Sequence, residues 1–337
     1  MGILNTDKKY IPISNAKEMY SLGKALTDKN LFEFFPEEFE ASMEENNMLV
    51  QITEYDIFTN PSLIMKATKK EEIREKVFER LNSLDQNTSD LFKILFAHFV
   101  NEKRKRETQT IPFENKDSGL SYISIDDIHF SYKGLKGKNK ESHIAKTQYE
   151  NYISSIDILV NTKVKFDITK ETNAVYQKLK ALKWGAVEGF LINNVRWAQN
   201  KKNTRIDGIW YDLGLIGEAF TKHIPNINEK YPKDLLKLNY KVYPTVKNIG
   251  NFLCWCHKSN NIKAKTTKID FYNLLGEVRF EITKSSGVQK SLDRFMNNFN
   301  KAIDILKENN IIASIEIPEP IHTNNYKKAI IIINWIY

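Results

Sequence analysis

The sequence predicts an α+β protein in which one small unit, three helices and a β-hairpin, occurs twice. Between Ser285 and Asn310, Leu292, Phe295, Met296, Phe299, Ile303 and Leu306 recur at spacings of three and four, which puts them on one face of a helix. A β-branched run (IIASIEIP), a basic loop (HTNNYKK) and a second β-branched run (AIIIINWIY) follow directly, the order of a recognition helix and its wing. Helix, short helix, polar-faced helix and hairpin also succeed one another in an earlier stretch. The expected fold class is therefore two tandem winged helix-turn-helix domains behind an acidic, helical N-terminal extension.

Residues 1–65 form that extension. Ala16 to Leu26 has helical character, and LFEFFPEEFEASMEENN mixes phenylalanines with glutamates, as an arm packed on the next domain or a docking segment would. Residues 66–235, with an insert at 169–199, form the first winged-helix domain, and residues 236–337 the second. In the first domain, Ile73, Val77 and Leu81 step by four. Leu91, Ile94, Leu95 and Phe99 repeat the pattern after a break near Gln86, where Thr88 or Ser89 would cap a new helix. A β-like run (YISI), a small helix (IDDIHFSYKG) and a lysine- and glycine-rich loop precede AKTQYENYISSIDILV, with Tyr149, Ile153, Ile156 and Val160 on one face. Lys163 to Ile168 alternates as a strand, and two further runs joined by QNKKNT read as a hairpin. In the second domain, Pro244 to Ser259 is an apolar helix, Lys268 to Val278 a short one, and the long helix opens near Ser285 or Ser286.

Composition bounds the class. The chain has 337 residues and is 41% hydrophobic, enough for two cores. No apolar run reaches the ~20 residues a membrane helix needs, and the first residues do not read as a signal peptide. The two cysteines, Cys254 and Cys256, have no second pair to complete a zinc site and read as free core thiols of a cytoplasmic protein. The net charge of +8 is uneven: 17 Lys/Arg stand against 21 Asp/Glu up to Leu120, and 33 against 21 from Ser121 onward. A basic later part points to a polyanionic partner.

Catalytic constellations are hard to assemble. The six histidines never form a His-x-His pair, arginine is scarce for a recombinase's phosphate clamp, and no GxxxxGK[ST] loop occurs. The expectation is a non-enzymatic protein without cofactor or metal. A relaxase or tyrosine-recombinase-like enzyme is the least favoured alternative.

Specific stretches carry a family resemblance. KVYPTVKNIGNFLCWC resembles the segment opening the second domain of theta-type plasmid replication initiators of the tandem winged-helix family. KIDFYNLLGEV with SLDRFMNNFNKAIDILKENN resembles that family's short helix and recognition helix. AKTQYENYISSIDILV and GIWYDLG are similar to the first domain's recognition helix and the strand before the domain junction. The likeness runs from about Glu71 to the C-terminus, with the acidic extension and the insert as departures.

The resemblance implies sequence-specific binding of double-stranded DNA at repeated origin sites, to initiate plasmid replication by recruiting host replication proteins. It also implies a first domain that contacts DNA or forms a homodimer, and no membrane role. A winged-helix transcriptional or partition regulator is the alternative. On this reading Gln289, Arg294, Asn297 and Asn298 face base edges, because Asn and Gln fit adenine and Arg fits guanine. Lys290, Lys301, Lys327 and Lys328 clamp the backbone, and the first domain contributes Lys138, Lys140, Lys146, Gln148 and Asn151.

Overall fold

A computed structural model describes residues 10–14, 16–45, 47–54, 67–108, 120–133, 144–169, 180–181, 185–199, 205–223, 227–259, 265–283 and 287–336. The chain divides into two compact units, one built on Pro12–Ile227 and the other on Asn228–Tyr337 together with Lys9–Ile11.

In the first unit, helix α1 (Lys17–Ala25) precedes strands β2 (Glu33–Phe35), β3 (Glu40–Glu45) and β4 (Met48–Ile52). These strands correct the expectation of an acidic helical extension, which holds only for α1. The reason is a period of two: Ala41 and Met43, then Met48, Val50 and Ile52, are buried in alternation. Pro36 cannot continue a helix, and Asn47 supplies the left-handed turn of the β3–β4 hairpin at φ 62°. Phe34 packs against Phe78 with ring centroids 5.6 Å apart and tilted by 53°, so the aromatic stretch packs onto its own unit.

Helices α2 (Ala67–Asn82) and α3 (Gln86–Thr108) follow. Asp85 caps α3 by accepting from the Thr88 amide at 3.0 Å; Thr88 and Ser89, the expected caps, are buried within it. Helix α3 is the core element, with Leu91, Ile94, Leu95, Phe96, Ala97 and His98 all buried.

Next come β5 (Ser121–Ser124), α4 (Ile125–Lys133), α5 (Lys146–Val160), β6 (Thr162–Asp167), β7 (Ala186–Phe190), β8 (Asn193–Gln199), β9 (Ile206–Asp212) and α6 (Gly214–Glu218). Two antiparallel sheets result, ordered β2-β3-β4-β6-β7 and β5-β9-β8. The stretch expected as an insert therefore supplies β7 to one sheet and β8 to the other. Met48 pairs with Phe166 and Ile52 with Thr162, joining the N-terminal hairpin to β6 across more than a hundred residues.

Strand β1 (Tyr10–Ser14) pairs with β10 (Ile227–Pro232), and the second unit takes Tyr10 and Ile11 of the former and all but Ile227 of the latter. Helices α7 (Lys233–Lys237) and α8 (Pro244–Ser259) precede β11 (Thr266–Asp270), α9 (Phe271–Glu277), α10 (Val288–Glu308), β12 (Ile312–Glu316) and β13 (Ile330–Trp335). The sheet order is β11-β13-β12, antiparallel throughout. From α8 onward, helix, strand, helix, helix, strand, strand is also the order of α3, β5, α4, α5, β8 and β9, with β6–β7 inserted. The sheets correspond too: the strand after the first helix pairs with the last strand.

The apolar face of α10 builds the core of this unit. Leu292, Phe295, Phe299, Ile303 and Leu306 are buried and Met296 is half-buried. Phe295 meets Phe271 edge-on at 5.3 Å and Phe280 at 5.0 Å. Gly250 lets α8 approach α7, since a Cβ there would stand 2.5 Å from Leu235. Cys254 and Cys256 are free and buried on α8, and burial pushes the Cys256 thiol up to about 12.

Candidate nucleic-acid interface

Helix α10 begins at Gly287, φ 83°, with no side-chain cap; Ser285 and Ser286, expected to cap it, lie outside the described residues. Its outward face carries Lys290, Arg294, Asn297 and Lys301, all exposed, with Asn298 half-buried beside them. Spacings of 4, 3, 1 and 3 align them in one stripe of roughly 16 Å at 1.5 Å per residue, comparable with the width of a major groove. Asp293, exposed and holding Gln289 Nε2, borders the stripe beside Lys290 and Asn297.

Gln289 has a different position from the one the sequence led us to expect. Its Oε1 accepts from the Thr323 amide at 3.2 Å and from the Thr323 hydroxyl at 3.1 Å, while its Nε2 donates to Asp293 at 2.9 Å. Both ends of the amide are engaged, so Gln289 fastens the β12–β13 loop to the first turn of α10. That loop is itself ordered by hydrogen bonds. The His322 amide donates to Asn325 Oδ1 at 2.9 Å, Asn325 Nδ2 donates to Pro320 O at 2.9 Å, and Tyr326 N–H donates to His322 O at 3.0 Å. Tyr326 packs at 6.2 Å from Tyr272 of α9. Lys327 and Lys328 are exposed at the end of the loop, Lys327 with its ammonium 6.0 Å from the Tyr326 ring.

Two cations of the stripe rest on aromatic rings, a contact that holds a charge in place without neutralising it. The Arg294 guanidinium lies 5.2 Å from Phe280, and the Lys301 ammonium 5.5 Å from Tyr243. Tyr243, Phe280, Arg294 and Asn298 also line a cavity of about 500 Å³, to which Arg279 contributes. Arg279 was not singled out by the sequence.

In the first unit the predicted residues are less well gathered. Lys138 and Lys140 lie outside the described residues. Lys146 and Asn151 are exposed on α5 but five residues apart, which turns them about 140° from one another. Lys146 stands 3.8 Å from Glu150, and Gln148 is half-buried. Sequence reasoning missed the hairpin's tie to α5: Arg205 stacks 4.1 Å over Tyr149, and the Ile206 amide donates to Tyr149 Oη at 3.0 Å. In both units, then, the first turn of the third helix is bonded to the hairpin that follows it.

No family model matches the chain, and no curated protein matches it in sequence. Two solved structures are similar in fold. A crystal structure of domains 2 and 3 of RctB matches at a TM-score of 0.41 and 10% identity over 94% of this chain and 96% of that one. A selenomethionine derivative of the same two domains matches at 0.44 and 10% over 96% and 98%. A likeness at this level carries no argument about function.

Among the described residues no group of three or more His, Cys, Asp or Glu is placed to hold a metal, and no helix is long and apolar enough to cross a membrane. Two tyrosines have structural surroundings. Tyr152 donates to or accepts from His129 Nδ1 at 3.0 Å, and burial pushes its phenol up to about 12. Tyr211, fully buried, donates to Leu95 O at 2.7 Å.

Proposed function

We propose that this chain binds double-stranded DNA in a sequence-specific way through two winged helix-turn-helix modules and initiates replication at repeated origin sites. The observation that carries the reading is the exposed stripe of Lys290, Arg294, Asn297 and Lys301 on α10 beside an ordered loop bearing Lys327 and Lys328. A rigid helix with cations and amides at one-turn intervals, flanked by a basic wing, offers base-edge contacts at its centre and phosphate contacts at its rim. Asn297 and Asn298 carry the base-edge role, since a carboxamide meets adenine with two hydrogen bonds. Lys290, Lys301, Lys327 and Lys328 hold phosphates. Gln289 positions the wing. The parallel order of α3, β5, α4, α5, β8 and β9 supports a second module on the same chain, which raises the effective concentration at tandem sites. In this proposal the protein acts by binding in the cytoplasm and performs no covalent chemistry.

Footprinting the full chain on DNA flanking its gene tests the reading. Protection of direct repeats beside an AT-rich stretch is the expected result, and protection of one inverted repeat over a promoter would make it a transcriptional regulator. Nicked supercoiled DNA in the presence of divalent metal would instead make it a DNA-processing enzyme.

A further inference from the structure

The turn between α9 and α10 holds a residue that its backbone disfavours. Arg279 has φ 54°, its N–H donates to Gly276 O at 3.0 Å, and the next amide, Phe280 N–H, donates to Leu275 O at 2.9 Å. This is the closure by which helices end on a left-handed residue, where glycine fits best and asparagine next. Helix α10 ends the same way on Asn310, φ 52°, with bonds to Lys307 O and Leu306 O at 2.9 Å each. At the end of α9 the position is given to a long cationic side chain. A disfavoured backbone retained in an ordered turn points to a use for the side chain.

That side chain lines the 500 Å³ cavity together with Arg294, Asn298, Thr283, Tyr243 and Phe280. Glu281 lines it too, so the lining holds two arginines and one glutamate. Phe280, across which Arg294 lies, is itself fixed against Phe295 at 5.0 Å, giving one of the two guanidiniums a rigid seat. Pro244 and Thr245, at the start of the 16-residue helix α8, complete the wall, and first-turn amides add partial positive charge.

We propose that this cavity binds a phosphoryl group, with Arg279 and Arg294 as its forked donors and the Thr283 hydroxyl beside them. Guanidinium matches phosphate geometry in a way that ammonium does not. The inference rests on the proposed duplex-binding function, in which the group is a backbone phosphate at the flank of the groove occupied by α10. It moves Arg294 from base reading to phosphate binding.

The test uses the full chain, its Arg279→Gly and Arg294→Ala variants, a random-sequence 30-base-pair duplex and inorganic pyrophosphate. Arg279→Gly should melt at or above the wild-type temperature, because glycine relieves the turn. It should nonetheless bind the duplex roughly fivefold more weakly near physiological salt, with the slope of log affinity against log salt shallower by about one. Arg294→Ala should weaken binding to random duplex and to DNA flanking the gene by the same factor. Wild-type duplex affinity and slope in Arg279→Gly would overturn the assignment. If the wild-type chain binds no duplex, the proposed function falls. The cavity then stands only if pyrophosphate raises the wild-type melting temperature saturably and leaves that of Arg279→Gly unchanged; an equal response in both overturns it.

Discussion

Arg80 shows how much of the first unit depends on single side chains. Its guanidinium is nearly buried and donates to Asp157 at 2.7 Å, to Glu54 at 2.6 Å and to the Thr53 carbonyl at 3.0 Å. One residue thus ties α2, the end of β4 and α5 together. Removing it leaves a mostly desolvated Glu54 with only Lys76, at 3.7 Å, to pair with among the described residues, so Arg80→Ala should destabilise the unit by about 3–5 kcal/mol in urea titrations. At this scale the sequence was readable where a side chain's role follows from periodicity. Spacing alone predicts the buried set Leu292, Phe295, Phe299, Ile303 and Leu306. It was unreadable where a role depends on dihedral angle or on a partner. Nothing in GEVRF marks Arg279 as left-handed, because the usual glycine signal is absent. Gln289 looked like a base reader because Thr323, which occupies its carbonyl, lies 34 residues away in sequence.

Among elements, the contrast between α10 and the β2–β4 strands has a physical origin. Helix α10 has a broad apolar stripe repeated over five turns, and the wing's β-branched runs admit little but strand. The N-terminal strands are short, and glutamates and phenylalanines dominate their neighbourhood, masking the alternation of Ala41, Met43, Met48, Val50 and Ile52. The β6–β7 pair adds a pH-dependent element. Glu188 hydrogen-bonds Lys163 and lies 3.7 Å from Lys165, and the Lys163 bond holds its carboxyl below the usual value of 4.5. A depressed folded-state value stabilises the fold above the unfolded value, and that contribution is lost as pH falls through the folded one. Because Glu188 is 42% exposed, the effect should stay below about 1 kcal/mol. Thermal melts of Glu188→Gln should therefore fall short of wild type at pH 7 and converge with it below pH ~3.

For the whole molecule, the order of elements was legible and the long-range pairing was not. That Met48 pairs with Phe166, and that a five-stranded sheet draws two strands from beyond α5, follows from contacts no local pattern encodes. Charge, by contrast, is a global property that sequence states directly: the balance is −4 up to Leu120 and +12 from Ser121 onward, where the second module and most of the first lie. The central claim is that α10 and the wing engage the phosphates of duplex DNA. The most direct measurement is the affinity of the full chain for a duplex as a function of salt, compared with a Lys327→Ala/Lys328→Ala variant. With Lys290, Arg294, Lys301, Lys327 and Lys328 each neutralising one phosphate, log affinity should fall against log salt with a slope of about −4.5 or steeper, and the double variant should be shallower by about 2. Affinity that does not change with salt, or a double variant indistinguishable from wild type, would contradict the account.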